Sequence, residues 1–221
     1  MMTHYVPAAF RVDDPDSLHQ LIHDYPFGCW ITLAGGELVA NHLPWYLEVD
    51  RGPQGTLLGH VARANPIWQA MQSDSESLVV FQGPSAYVSP NWYPSKAEHG
   101  RVVPTWNYAV VHAYGRPAIV HDESRVRTYL ERLTERHEAG LAESWQVNDA
   151  PADFLAGLLQ AIVAIELPVA RIIGKWKLSQ NRSVEDRRGV IGGLREQSQG
   201  SGWAMAELME GDLERRDRGG E

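Results

Sequence analysis

Two stretches of the chain place cations and neutral hydrogen-bond donors beside the predicted start of a helix. The first is GKWKLSQNR, residues 174–182, which ends just before Ser183, a residue type that often caps helices. Its cations are Lys175, Lys177 and Arg182, and its neutral donors are Ser179, Gln180 and Asn181. Cations beside the free N–H groups of a helix start can bind an anion such as a phosphate. The alternative is a solvated strand end whose lysines discourage edge pairing, although three neutral donors exceed that requirement.

The second stretch is GHVARANPIW, residues 59–68. A predicted strand ends at Arg63, and a predicted helix begins after Asn65 with Pro66 in its first turn. A fixed guanidinium beside a helix start suits an anion, and Gly59 permits close approach of the backbone. The alternative is an exposed arginine beside an ordinary capped helix.

A third stretch, VVPTWNYAVVHAYG, interleaves aromatic and amide side chains over residues 102–115. Aromatic rings beside amides suit a planar heteroaromatic ligand, which needs stacking and hydrogen bonds at its edge. Taken alone, the pattern is also that of an aromatic-rich core strand. A metal site has no comparable signal in the sequence: His42, His60, His99 and His112 are scattered, and Cys29 has no second cysteine. We therefore predict no metal site and no intrachain disulfide, as in a reducing cytoplasm.

The elements that carry these stretches indicate a small antiparallel barrel with inserted helices, mainly β with α, of the α+β class. Asp13 or Asp14 caps a helix that Pro15 starts and Pro26 ends. Strand-like runs follow, FGCWITL and ELVANHLPWYLEV joined at Gly35-Gly36, then TLLGHVAR, SLVVFQG, RVVPTWNYAVVHAYGRPAIVHD and AIVAIELPVARIIGKWKLSQ. The residues after SLVVFQG are predicted to form a loop. At the end of the last run, alternation places Lys175, Lys177 and Ser179 on one face.

Four helices are predicted between and after these strands. They are NPIWQAM with Asn65 as its cap, DESRVRTYLERLTERHEAG, NDAPADFLAGLLQAI, and a helix opened by Ser183 with Asp186 completing a capping box. One domain is expected over residues 1–194. Residues 195–221 are expected to form a tail with one short amphipathic helix around Trp203 to Leu213.

The bulk composition bounds the function. The chain has 221 residues, 43% hydrophobic content and a net charge of −8. An acidic chain without a basic stripe argues against direct DNA contact, because duplex binding requires a cationic face. No apolar run is long enough to span a membrane and no signal peptide is present, so we expect a cytoplasmic protein.

Five motifs, in order, carry a family resemblance. They are GGELVANHLP, GTLLGHVARANP, VVFQGPSAYVSPNWYPSK, VVPTWNYAVVHAYG and GKWKLSQNR. Together they resemble the PaiB-type proteins, called FMN-binding negative transcriptional regulators, over about Met2 to Leu194. The resemblance implies an FMN-binding split barrel, and homodimers with flavin sites in clefts between the subunits.

The resemblance also implies which residues contact the flavin. Arg63 would contact the phosphate, and Asn41, His42 and Leu43 would line the ring edge. The remaining cofactor-binding residues on this pattern are His60, Val61, Ala62, Asn65, Gln82, Trp106, Asn107, Lys175, Lys177, Gln180, Asn181 and Arg182.

Three functions stay open at this stage. The first is a flavin-dependent redox or regulatory protein of the PaiB type, and the second is an FMN-dependent oxidoreductase with a small-molecule partner. For the second, no catalytic residue is assigned. The third is a haem-binding or haem-degrading split barrel, since related barrels include such members and the chain has histidines to offer.

Overall fold

The computed structural model describes residues 4–72, 74–197 and 200–218, and within them it contains nine strands and seven α-helices. The strands are β1 (Arg11–Val12), β2 (Phe27–Ala34), β3 (Glu37–Pro44), β4 (Tyr46–Glu48), β5 (Thr56–Ala62), β6 (Ser77–Val88), β7 (Thr105–Gly115), β8 (Ala118–Val120) and β9 (Ile162–Lys177). The helices are α1 (Pro15–Asp24), α2 (Ile67–Ala70), α3 (Ser95–His99), α4 (Glu123–Glu138), α5 (Ala152–Gln160), α6 (Val184–Gln197) and α7 (Ser201–Arg218).

The strands hydrogen bond in the order β3-β2-β6-β7-β9-β5-β4, and β1 and β8 each pair with β9. The pairings whose register is defined are antiparallel, as between β2 and β3 or β5 and β9. Antiparallel strands with helices inserted between them confirm the predicted α+β class. Contacts divide the chain into two compact units, and β6, β7 and β9 each contribute residues to both. Of the described residues, unit 1 holds those within 4–14, 82–111, 173–197 and 200–218, and unit 2 holds those within 15–72, 74–81 and 112–172.

In unit 2, the β2–β3 hairpin shows why the sequence forms a sheet at this point. Gly35 and Gly36 have φ values of 58° and 88°, the left-handed conformation that a tight hairpin turn requires. On β2, burial alternates along the strand, and the inward-facing Trp30 is fully buried. The hairpin predicted from FGCWITL and ELVANHLP is therefore confirmed.

Helix α4, also in unit 2, packs one stripe onto the strands beside it. Tyr129 and Leu133 of α4 form a buried cluster with Leu58 of β5. Asp122 caps the helix by accepting hydrogen bonds from the N–H groups of Ser124 and Arg125, at 2.9 and 3.3 Å. The apolar stripe is the signal that predicts this helix from sequence, and the structure adds the Asp122 cap.

Unit 1 is built around the C-terminal helices. Strand β1 pairs with the end of β9, where Arg11 lies opposite Lys175. In α6, Gly193 leaves space for the Trp92 ring: a Cβ atom there would lie 2.4 Å from the indole. Helix α7 buries Met205, Ala206 and Met209 completely. The C-terminal segment is therefore packed into unit 1 over most of its length.

Three sequence-based predictions differ from the structure. Strand β6 continues to Val88 instead of ending in a loop. The alternating burial shifts by one residue at Gly83–Pro84, and Ala86 and Val88 are buried beyond that shift. Strand β9 ends at Lys177, so Ser179 lies in a turn with a φ of 61° and does not extend the strand face of the two lysines. The predicted short helix in the tail is the 18-residue α7, whose buried methionines provide its apolar stripe.

Candidate functional site

In unit 2, Arg63 lies just beyond the end of β5. Its Nε donates to the carbonyl of Gln160 at 2.5 Å, and its Nη2 donates to the carbonyl of Ile162 at 2.8 Å. The guanidinium also lies 5.8 Å from the ring centre of Trp68, whose indole N–H donates to the Arg63 carbonyl. Carbonyl oxygens fix the guanidinium without neutralising its charge. Nη1 makes no hydrogen bond to any described residue, so its two N–H groups can bind an anion.

Two asparagines next to this arginine are connected. Asn65 accepts a hydrogen bond from the N–H of Ile67 at 3.0 Å, which is the predicted cap at the start of α2. Its side-chain nitrogen donates to Asn41 Oδ1 at 2.8 Å. Asn41 Nδ2 is buried and has no partner among the described residues. A buried amide donor without a partner is unusual and marks a place for an acceptor atom.

Strand β3 does not bring its three predicted ring contacts to one face. Asn41 and the buried Leu43 share the inward face, while His42 is exposed on the outward face. The His42 ring is stacked with that of Phe27 on the neighbouring strand at 6.3 Å. Period-2 alternation accounts for the separation.

On β5, His60 turns toward helix α4. Its Nδ1 lies within hydrogen-bond distance of the Tyr129 hydroxyl, 3.1 Å away. Burial lowers the pKa of His60 and raises that of Tyr129. Of the other two residues predicted here, Val61 is buried and Ala62 is exposed. His60 therefore has a packing partner of its own in Tyr129.

In unit 1, the two lysines at the end of β9 have different neighbours. Lys175 Nζ lies 5.3 and 5.5 Å from the ring centres of Tyr5 and Tyr108, and donates to the Tyr5 carbonyl at 3.3 Å. Lys177 Nζ donates to the carbonyl of Trp106 at 2.6 Å and to a threonine hydroxyl. Burial, and secondly the charge of Lys175, lowers the pKa of Lys177. A bound anion would relieve this repulsion between like charges.

The turn that follows β9 is organised by its own side chains. Gln180 accepts from the N–H of Leu178 and donates to the Trp176 carbonyl, both at 2.7 Å. Asn181 is exposed, and the Arg182 guanidinium lies 5.1 Å from the ring centre of Tyr93. Both polar atoms of the Gln180 amide thus serve the turn, whereas Asn181 and Arg182 can reach a ligand.

The remaining predicted residues of unit 1 differ in exposure. Gln82 is exposed, and Trp106 is 53% exposed with its ring edge-to-face against Tyr87 at 6.2 Å. Asn107 is fully buried and hydrogen bonds to Ser179. Tyr5 and α7 carry no local sequence signal for this site, because their contacts join positions far apart in the chain.

Four of the predicted cations share one property. Arg63, Lys175, Lys177 and Arg182 make no salt bridge within the described residues. By contrast, Arg51 and Arg125 both bind Glu166, and Arg132 binds Glu48. Cations held by carbonyl groups and aromatic rings keep their full charge. In either unit, a cation held in this way fits the doubly charged phosphate of a flavin mononucleotide.

The described residues contain no group of three or more His, Cys, Asp or Glu side chains placed to hold a metal ion. His19 and His23 are one turn apart on α1, a spacing that metal-binding helices use. His23 Nδ1 lies 3.1 Å from the Asp24 carboxylate.

None of the described helices is long and apolar enough to cross a bilayer.

The chain matches, over residues 4–171, the family described as "Putative FMN-binding domain". Because this match spans most of the chain, the protein belongs to that FMN-binding family, and FMN is its cofactor. It is similar to "Protease synthase and sporulation protein PAI 2" of Bacillus subtilis, with 31% identity over 212 residues, 96% of this chain and 99% of that relative. The resemblance to PaiB-type proteins is confirmed.

Two solved structures share the fold. The flavocytochrome Anf3 from Azotobacter vinelandii has a TM-score of 0.61 at 13% identity, over 85% of this chain and 78% of that chain. The FAD and heme binding protein from Mycobacterium smegmatis has a TM-score of 0.56 at 16% identity, over 80% and 78%. At these identities the likeness concerns the fold alone, and it confirms the split-barrel class.

Proposed function

We propose that this protein is a flavin-dependent redox or regulatory protein of the PaiB type. The observation that supports the proposal most is the set of four cations that no described carboxylate neutralises, in a chain whose net charge is −8. Each unit has its own candidate contacts to FMN: Arg63, Asn65 and Asn41 in unit 2, and Lys175, Lys177, Asn181 and Arg182 in unit 1. The bound flavin supplies one- or two-electron transfer, while these residues bind and orient it.

The test of this assignment is the FMN affinity of an Arg63→Ala variant. Loss of a charge-assisted contact to phosphate costs about 1.5–3 kcal/mol, so the dissociation constant should rise roughly 10- to 100-fold. Arg116→Ala is the matched control, because Arg116 is exposed and makes no salt bridge within the described residues. Arg63→Ala with wild-type FMN affinity would remove Arg63 from the site. Unfolding curves of both variants separate lost affinity from lost stability.

A second candidate, an FMN-dependent oxidoreductase, is favoured by the exposed aromatic pair in unit 1. Tyr87 and Trp106 are 48% and 53% exposed, and Lys177 bonds to the Trp106 carbonyl. An aromatic surface beside a cation suits a flat, anionic substrate. Anaerobic mixing with NADH or NADPH should bleach the flavin spectrum if the protein is such an enzyme. If neither nicotinamide reduces the flavin, an ordinary reductase is ruled out.

Regulation, if it is the role, would act through a protein partner or a metabolite instead of direct DNA contact. The acidic charge supports this proposal. A sequence-specific DNA shift by the purified protein would contradict it.

The haem alternative stays a prediction, and a Soret band after haem addition, lost on replacing one histidine, would support it. The single cysteine supports a cytoplasmic location.

We also propose a homodimer. The outward face of the β2–β3 hairpin in unit 2 exposes Phe27 by 65% and Leu38 by 78%. An apolar sheet face of this kind normally has a partner. The PaiB resemblance implies that the partner is a second copy of the chain.

A further inference from the structure

The turn after β9 contains an unusual backbone conformation. Ser179 has a φ of 61° and is the one non-glycine residue with positive φ in the described part of the chain. For a side chain other than glycine, asparagine or aspartate, this conformation costs on the order of 1 kcal/mol. The surrounding structure must therefore hold it in place.

The buried side-chain amide of Asn107, on β7, stabilises this conformation of Ser179. Asn107 is fully buried, and its Nδ2 donates to Ser179 Oγ at 3.0 Å. Ser179 Oγ also lies 3.2 Å from Asn107 Oδ1, so the hydroxyl is held at both ends of the amide. The Ser179 carbonyl in turn accepts from the N–H of Arg182 at 2.9 Å. Asn107 therefore positions Arg182 indirectly, because it holds Ser179 and Ser179 binds the Arg182 backbone.

Helix α7 closes the same amide from the other side. Asn107 Nδ2 lies 3.4 Å from the sulfur of Met209, which is fully buried. Met209 is in turn fixed by α6, because Arg187 donates to the Met209 carbonyl at 3.5 Å and to Asp212 at 2.6 Å. Arg187 is 3% exposed. The family match covers residues 4–171, so Asn107 lies within it, whereas Ser179 and Met209 lie beyond its end.

We propose that Asn107, Ser179 and Met209 form a clasp that positions residues 177–182 to receive the cofactor phosphate. The three are positioning residues: they act through the turn and through Arg182, not through contacts of their own with FMN. The C-terminal helix thereby gains a role in cofactor affinity. The inference rests on the proposed function, in which Lys177 and Arg182 hold FMN.

The test compares two serine variants of the full-length protein. Ser179→Gly removes the hydroxyl but accepts a positive φ, so the unfolding midpoint should change little. Amides of residues 178–182 should exchange hydrogen faster in the FMN-free protein, and the FMN dissociation constant should rise about tenfold. Ser75→Gly is the matched control, because Ser75 donates to Gln72 Oε1 at 3.1 Å in a turn of unit 2. It should keep both wild-type values.

A third variant tests the contribution of α7. Met209→Leu keeps the volume of the side chain and removes the sulfur that faces Asn107. Exchange at residues 178–182 should then lie between the wild-type rate and that of Ser179→Gly. A wild-type rate would remove α7 from the clasp.

Two results would overturn the clasp as a whole. Unchanged exchange in Ser179→Gly would show that the hydroxyl does not hold the turn. Faster exchange with unchanged FMN affinity would show that the turn does not bind the cofactor, while the proposed function stands. Failure of the wild-type protein to bind FMN would overturn both proposals, so the two failures are distinguishable.

Discussion

At the residue scale, the site is defined by how its cations are held. Arg63 and Lys177 donate to main-chain carbonyls, which orient a charge without cancelling it. Arg51 and Arg125, by contrast, share the Glu166 carboxylate and serve the fold. This difference between an anchored cation and a neutralised cation distinguishes the proposed phosphate ligands from the structural arginines.

His60 gives a prediction about pH at the same scale. Burial lowers its pKa, so below about pH 6.5 the unfolded chain binds a proton that the folded chain does not. The free energy of unfolding should therefore fall as the pH decreases from 7.5 to 5.5. In His60→Gln, chemical denaturation over this range should show a smaller fall.

The control for this prediction is His137→Gln, since His137 is exposed on α4. It should keep the pH dependence of the wild type. If His60→Gln also kept it, a lowered pKa of His60 in the folded protein would be contradicted.

The residue types of the site could be predicted from sequence, whereas their partners could not. GKWKLSQNR stands out because it concentrates cations and donors in an acidic chain, and GHVARANPIW because it places Arg63 beside a helix start. The bonds from Arg63 to Gln160 and from Asn107 to Ser179 join residues 97 and 72 positions apart. Only the folded sheet brings such residues together, and no local pattern encodes them.

At the element scale, α6 shows how glycine can serve packing in a helix. A Cβ atom on Gly189 would lie 2.1 Å from the carbonyl oxygen of Trp92, whereas one on Gly192 would meet no atom within 4 Å. Gly189→Ala should destabilise the protein by about 1–3 kcal/mol through this clash. Gly192→Ala should stabilise it by about 0.5–1 kcal/mol, the usual helical preference for alanine.

Thermal unfolding of the two variants checks this pair of predictions. At about 2–4 °C per kcal/mol for a chain of this size, the melting temperatures should move in opposite directions. Two shifts of the same sign would contradict the close packing of Trp92 on α6.

Elements bounded by helix-starting or helix-ending residues could be predicted from the sequence. Elements whose extent depends on burial against distant parts of the chain could not. Pro15 marks the start of α1 in the sequence, and Gly140 lies just beyond the end of α4. Strand β6 was predicted too short because Gly83 and Pro84 are turn-forming residues, yet the burial of Ala86 and Val88 extends the strand. Helix α7 has weak local signals, and its length follows from the packing of Met205 and Met209.

At the scale of the whole molecule, the outward face of β2 and β3 predicts the oligomeric state. The protein should elute with a light-scattering mass twice that of the 24.7 kDa chain. Leu38→Glu places a charge on this face and should yield monomers. Leu141→Glu, on a residue that is 56% exposed after α4, should remain dimeric. A monomeric wild-type protein would contradict the proposed interface.

The acidic net charge of the molecule makes the local cations necessary for phosphate binding. With a net charge of −8, the chain as a whole does not attract anions, so retention of a phosphate ester depends on the local cations. FMN binding should accordingly weaken as salt is raised, since phosphate contacts are screened.

The most direct test of the account is an FMN titration of the purified, flavin-free protein, followed by quenching of flavin fluorescence. We expect saturable binding of one FMN per chain with a dissociation constant in the micromolar range or below, and a weaker affinity for riboflavin, which lacks the phosphate. Absence of binding at micromolar FMN, or equal affinity for riboflavin, would contradict a phosphate held by these cations.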